Sequence, residues 1–278
     1  MPAQTVEKSK PLRYVEMPPA PDVAALVATY WSFTARSLPS PDFTHRVWPD
    51  GCTGLVIGRI PVRGCISRVV GASTSASEVP LFVGSHYWGI RFRPDAGGPC
   101  CARDAVALRD TSIDAEECFG AALAPLQAAL LALPDTEDDR AATVVLDAWV
   151  RALLPRAVRI DPLVTAAVDQ IVASDGTATI ASIAARLAIS PRHLQRRFRS
   201  ATGLSPKEYA SIRRGRAALK RLATADDRSA PVALSRLAAD TGYADQSHLT
   251  RECARLTTFT PASLIDRLGD ITHDRLVD

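Results

Sequence analysis

The sequence predicts an α+β chain of two domains: a β-rich sandwich or barrel with helices behind it, then an all-α domain. Three observations predict this. Short apolar runs broken by Gly and Pro fill the first part of the chain, helical periodicity takes over near Asp114, and a basic helical pattern near residue 190 recurs about 55 residues later. At 278 residues there is chain enough to bury a core in each domain.

Residues 1–20 are polar and proline-rich and read as a flexible arm. From about Tyr30 to Leu108, "YWSF", "HRVW", "TGLVIG", "RVVG", "LFVG" and "YWGIRFRP" alternate with turn residues such as "PDG", which is how strands joined by tight turns are written. "AEECFGAALAPLQAALLAL" and "DDRAATVVLDAWVRALL" then carry helical spacing on either side of "PDTEDD". The β-rich domain with its helices is therefore set at 21–154, a linker at 155–162, an all-helical domain at 160–268 and a tail at 269–278.

The helical domain holds the informative segment, "SPRHLQRRFRSATGLSP" at 190–206. Ser190 suits an N-cap, Pro191 a first helical position and Gly203 a helix end. Leu194, Phe198 and Ala201 fall at i, i+4 and i+7 and form the inward stripe, which leaves Arg192, Gln195, Arg196 and Arg199 on the opposite face. "TIASIAARLAI" just upstream is a second short helix, so the pair reads as a helix-turn-helix. "LSRLAADTGYADQSHLTRECARLTTFTP" repeats the plan: Asp245 takes the place of Ser190, and Leu249, Cys253 and Leu256 form the inward stripe. "PKEYASIRRGRAALKRLAT" is the long basic helix between the two units.

Charge is distributed to match. The net charge of the chain is only +3. Residues 159–268 hold 17 Lys and Arg against 10 Asp and Glu, a net +7, which leaves 16 against 20, a net −4, for the remainder. One half is built to meet a polyanion and the other is not. Arginine forks in particular suit guanine edges and phosphates.

On these motifs, "LAISPRHLQRRFRSATGLSP" and "LAADTGYADQSHLTR…TP", residues 160–268 resemble the DNA-binding domain of the AraC/XylS transcriptional regulators. The resemblance implies seven helices, with a long central helix joining two helix-turn-helix units whose recognition helices enter successive major-groove segments of double-stranded DNA. It assigns base contact to Arg192, Gln195 and Arg196 in the first unit and to Gln246, Ser247, Thr250 and Arg251 in the second. Arg197, Arg199, Arg213 and Arg214 are left to phosphate or solvent. Gly215, Cys253, Thr258 and Leu264 depart from the family pattern, so the second unit is the less orthodox. Less specifically, "VWPDGCTGLVIG", "VVGAS" and "GIRFRPDAGGP" resemble a sensor-type domain that takes a small-molecule effector or forms a homodimer. RNA polymerase is a further partner if the protein activates transcription.

Trp31, Trp48, Tyr87, Trp88 and Phe92 are candidates to line an effector pocket, with Arg91 or Arg93 facing an anion; ordinary core packing and a pure dimerisation domain account for the same residues. Enzymes are disfavoured. Pro99-Cys100 continues as Cys101-Ala102, without the His and Arg of the Pro-Cys-His-Arg nucleophile of DNA-repair methyltransferase regulators. A metal-dependent cupin enzyme needs clustered His and carboxylates, whereas His45 and His86 stand 41 residues apart. The six cysteines show no C-x-x-C pair and are expected reduced, with no metal and no cofactor. No signal peptide is evident and the apolar run 121–134 is too short to span a bilayer, so a cytoplasmic protein away from membranes is expected.

Overall fold

A computed structural model describes residues 11–40, 43–134, 139–153, 159–224 and 231–267. The N-terminal part contains strands β1 (Leu12–Met17), β2 (Val27–Ala35), β3 (Thr44–Val47), β4 (Gly54–Ile60), β5 (Gly64–Val70), β6 (Ser77–Pro80), β7 (Ser85–Phe92) and β8 (Ser112–Asp114). Six of them form one antiparallel sheet in the order β1-β2-β7-β4-β5-β8, and β3 pairs with β6 in a separate ribbon. The β-rich domain is thus built on one six-stranded sheet, with helices over its main face, and the two-stranded β3-β6 ribbon beside it. The strands alternate as the pleat requires. Leu55, Ile57, Trp88, Ile90 and Phe92 face the main core, while Val56 and Tyr87 face the other side with Phe33, Trp31 and Leu12.

The expected arm at 1–20 requires correction within its described part. Residues 12–17 pair along β2 from Leu12↔Ala35 to Met17↔Tyr30, because Leu12 and Met17 both have apolar surface to bury. Residues 1–10 lie outside the described residues, as do 154–158 of the linker and the tail beyond 267.

Helices α1 (Gly97–Cys101), α2 (Ala105–Leu108) and α3 (Glu116–Phe119) are short; α4 (Leu123–Leu131) and α5 (Arg140–Leu153) cover the main face of the sheet. Trp149 is fixed there by a hydrogen bond from Nε1 to the carbonyl of Ala122 (2.8 Å) and an edge-on contact with Phe119. Asp147, buried in α5, accepts from the Tyr30 hydroxyl (2.9 Å) and the Ala20 amide (3.1 Å), which ties the helix to the sheet.

The helical domain comprises α6 (Pro162–Ala173), α7 (Ile180–Arg186), α8 (Pro191–Thr202), α9 (Pro206–Thr224), α10 (Pro231–Asp240), α11 (Gln246–Thr257) and α12 (Pro261–Arg267). Asp161 caps α6 by accepting from the Leu163 amide (3.0 Å). A first core joins Val164, Val168, Ile171, Ile183, Leu194, Phe198 and Tyr209; a second joins Leu219, Leu222, Cys253 and Leu264. Leu264, unusual in the family pattern, is fully buried in that second core, where an arginine would be stranded. Among the described residues no helix is long and apolar enough to cross a membrane.

Candidate nucleic-acid interface

The first recognition helix is fixed at both ends by its own sequence. Ser190 accepts from the His193 amide (3.2 Å), Pro191 opens the helix, and Gly203 closes it in the left-handed conformation, φ +78°. Leu194 and Phe198 are fully buried, each contributing about 1.5–3 kcal/mol of apolar burial, and Phe198 lies 5.8 Å from the Tyr209 ring. That anchoring dictates the outward face. Arg192, Gln195, Arg196 and Arg199 are all exposed, and they line one wall of an open cleft of about 780 Å³ whose other wall includes Asp104 and Val106 of the β-rich domain.

The second recognition helix, α11, repeats this frame with different materials. Asp245 accepts from the His248 amide (2.7 Å), and Thr258 supplies the left-handed end at φ +67°. Gln246, Ser247 and Arg251 are exposed and Thr250 is half-buried. Gln246 accepts from the Ser235 hydroxyl (2.9 Å), linking α11 to α10, and the Thr250 hydroxyl donates to the Gln246 carbonyl (2.9 Å). Two of the departures from the family pattern meet at one place. Gly215 of α9 is overlain by Leu256, whose Cδ1 would come within 2.1 Å of an added β-carbon, and Cys253 lies in the same small apolar gap.

Three of the arginines left to phosphate or solvent also make contacts within the protein. Arg197 donates from Nε to Asp161 (2.6 Å), the cap of α6. Arg214 lies over the Tyr243 ring at 4.8 Å. Arg213 has its Nε buried. Arg255, on the second helix, reaches the Thr74 carbonyl of the other domain (3.0 Å), the Ser211 hydroxyl (3.1 Å) and Glu252.

The aromatic candidates for an effector pocket fall into three separate clusters. Trp88 belongs to the main core, Trp31 and Tyr87 to the opposite face of the sheet, and Trp48 to the core of the second helix-turn-helix unit. Phe92 is also plain core. Arg91 is engaged by Glu16 (2.8 Å) and Asp50 (2.7 Å), and Arg93 by Asp169 (2.7 Å). Alternation explains the separation: neighbouring strand positions such as Tyr87 and Trp88 point to opposite faces. His86 meets the Ser32 hydroxyl at 2.9 Å and His45 stacks on Phe33; among the described residues no group of His, Cys, Asp or Glu is arranged to hold a metal.

What sequence reading missed is the junction between the domains. The "WPDG" turn does more than reverse the chain. Trp48 packs against the second unit, Asp50 holds Arg91, and Gly51 (φ +77°) lies so close to the Tyr209 ring that a β-carbon would fall 2.6 Å from it. Ala72 enters the first unit's core, Arg46 stacks on Phe259 at 4.4 Å, and Arg109 pairs with Glu208 at 2.7 Å. The β-rich domain therefore touches both helix-turn-helix units.

A family model described as a helix-turn-helix domain matches residues 183–267, and one described as a domain of unknown function matches 15–114. No curated protein matches the chain. Among solved structures, the chain is similar to an AraC-type DNA-binding-domain transcriptional regulator from Chromobacterium violaceum, at 20% identity over 39% of this chain and 93% of that one, TM-score 0.35. It is also similar to ToxT from Vibrio cholerae O395, at 13% identity over 92% and 97% of the two chains, TM-score 0.41. ToxT from strain SCE256 with a bound unsaturated fatty acid aligns at 12% identity over 91% and 94%, TM-score 0.39. Both recognition helices, and α9 that joins the two units, lie inside the segment 183–267 that matches the helix-turn-helix domain.

Proposed function

We propose that this protein is a sequence-specific transcriptional regulator that reads duplex DNA with α8 and α11 and adjusts that reading through its β-rich domain. The observation that carries it is the exposed face of α8, where Arg192, Gln195, Arg196 and Arg199 stand together on a helix whose opposite side is locked into a core. Arg196 and Gln195 are assigned to base edges, with Arg192 beside them, and Arg199 to phosphate. On α11, Gln246, Ser247, Thr250 and Arg251 are assigned to bases. The β-rich domain is assigned the regulatory part, through an effector or self-association, because it contacts both units. RNA polymerase contact would follow for an activator.

Genomic footprinting with the full chain tests this reading and supplies the operator. Binding to that operator should weaken steeply with salt, since each neutralised phosphate releases counterions and adds about −0.9 to the slope of log K against log salt. Salt-insensitive binding, or footprints with no shared sequence, would overturn it.

A further inference from the structure

Arg255, on α11, is the meeting point of three elements. Its guanidinium donates from Nη1 to the Thr74 carbonyl of the β-rich domain (3.0 Å) and from Nη2 to the Ser211 hydroxyl of α9 (3.1 Å). Nε and Nη2 also donate to the two carboxylate oxygens of Glu252 (3.2 and 3.1 Å), to which Ser211 donates in turn. A planar guanidinium fork suits this role, since it fixes direction as well as distance. The apolar seat of α11 is by contrast divided between two small clusters, with a gap at Gly215 and Cys253.

From Thr74 the connection runs on to the other unit. The Thr74 amide donates to Asp110 (2.7 Å), and its hydroxyl lies 3.1 Å from both carboxylate oxygens. Asp110 is left-handed at φ +53°, and its own amide donates to the Ala72 carbonyl (3.2 Å), so segments 71–74 and 108–111 are bound to each other. They also touch directly: a β-carbon on Gly71 would fall 1.7 Å from the Leu108 carbonyl oxygen. Arg109 donates to Asp110 (3.2 Å) and to Glu208 (2.7 Å), and Glu208 accepts from the Ser205 amide (2.7 Å) just past the end of α8. The chain Glu252–Arg255–Thr74–Asp110–Arg109–Glu208–Ser205 thus starts on the second recognition helix and ends beside the first. Ala72, between its two halves, is buried in a core that contains both Leu194 of α8 and Leu256 of α11.

We propose that segments 71–74 and 108–111 of the β-rich domain are a clamp that sets the separation of α8 and α11. Arg255, Asp110 and Arg109 are its positioning residues, and they make the protein strict about the spacing between its two half-sites. Two recognition helices on one chain bind together only where the half-sites lie at the distance and rotation that the helices present. One inserted base pair moves the half-sites apart by about 3.4 Å and turns one against the other by about 35°. With α9 as the sole tie, α11 follows such a shift by settling into the gap beneath it. A tie to a third body, itself keyed to the end of α8 and the start of α9, removes that freedom. Each contact of the clamp is partly solvated and individually weak, so together they select a geometry more than they add stability. The spacing preference rests on the DNA-binding reading above, whereas the clamp itself does not.

Two measurements on the full chain test this. In the first, parent and variants are titrated with duplexes carrying the footprinted operator, unaltered or with one or two base pairs inserted between its half-sites. The parent should lose about tenfold in affinity on the first insertion, the cost of a misplaced base contact. Asp110→Gly, which removes the acceptor without strain at a left-handed position, and Arg255→Ala should lose about threefold or less. Asp110→Asn keeps an acceptor for Thr74 on a residue that also tolerates the left-handed backbone, and it should keep the parent's strictness. An equal loss on every spacing, with the ratio between spacings left at the parent's value, would overturn the spacing role.

The second measurement is hydrogen exchange without DNA. Asp110→Gly, although it lies in the other domain, should speed exchange of the amides at 246–257 in α11 and leave those at 162–173 in α6 unchanged. Unchanged exchange in α11 would overturn the clamp. A parent that binds no duplex would overturn the DNA-binding reading and the spacing role with it, and the exchange result would still decide the clamp.

Discussion

Gly203 and Ala105 belong to different domains, yet a β-carbon on Gly203 would stand 2.4 Å from the Ala105 carbonyl oxygen. The same glycine ends α8 with φ +78°. One residue thus closes the first recognition helix and lets the β-rich domain lie against it. Gly203→Ala should cost about 1 kcal/mol for the left-handed backbone alone, and more because the carbonyl must move. Urea denaturation should show a loss larger than that single-residue figure. A loss below it would mean the domains separate without cost.

Thr258 is the counterpart of Gly203 at the end of α11, and it is a β-branched residue at φ +67°. Its side chain is exposed and makes no buried contact to lose. Thr258→Gly should therefore stabilise the protein by about 0.5–1 kcal/mol, the relief of a strained left-handed backbone less the added freedom of an unfolded glycine. An unchanged or lower denaturation midpoint would contradict this.

Glu208 couples a helix start to the domain junction. It accepts from the Ser205 amide (2.7 Å) while its own amide donates to the Ser205 hydroxyl (3.2 Å), and Arg109 reaches it at 2.7 Å. Burial works to raise its pKa, but the Ser205 hydrogen bonds and Arg109 prevail and hold it below the usual carboxylate value. A depressed folded-state pKa gives stability that is present above the unfolded value, about 4.3, and lost as pH falls below it. Stability should accordingly fall between about pH 5 and 3 more steeply in the parent than in Glu208→Gln, which keeps an acceptor for Ser205 and loses the charge. Superimposable acid profiles would remove Glu208 from the account.

The recognition helices were legible because local signals agreed: Ser190 and Asp245 as caps, Gly203 as a stop, and apolar residues every third or fourth position. Burial then followed the pattern at Leu194, Phe198, Leu249 and Leu256. The β1 strand was not, because "LRYVEM" is short and sits beside prolines, and only pairing with β2 makes it a strand. The internal contacts of Arg197, Arg213 and Arg214 were not legible for a general reason. A basic run looks solvent-facing in one dimension, while Asp161 and Tyr243, which receive Arg197 and Arg214, lie far away in sequence. Trp48 and Gly51 carried only a turn signal, and their partner surface belongs to the other domain.

Arg196 and Arg199 differ in position along α8, which sets different losses on truncation. Arg196 is central on the exposed face, and Arg199 lies almost a turn nearer the end that abuts α2. Arg196→Ala should relax preference at one base pair at a cost of about 1–3 kcal/mol. Arg199→Ala should weaken binding to operator and random duplex alike and lower the salt slope by about 1. Titrations of both variants on both duplexes decide it, and equal losses on specific and random DNA for each variant would refute the division.

The two units should also contribute unequally to affinity. From Ser190 to Gly203 the first segment carries four arginines and no acid, whereas from Asp245 to Thr258 Arg251 and Arg255 are balanced by Asp245 and Glu252. The structure sharpens that contrast. Arg255 is bound to Thr74, Ser211 and Glu252, so α11 presents Arg251 while α8 presents Arg192, Arg196 and Arg199. Cys253 and Gly215 leave a small apolar gap beneath α11, where α8 has Phe198 packed on Tyr209. Phosphate attraction is the sequence-independent base of affinity, and a less firmly seated helix loses more freedom on binding. Gln246 and Ser247 are nonetheless exposed polar groups able to read base edges. Scrambling the half-site read by α11 should thus cost less affinity than scrambling the half-site read by α8, measured on otherwise identical duplexes at one salt concentration. The reverse order would show that the second unit, despite its neutral face, supplies the greater part of binding.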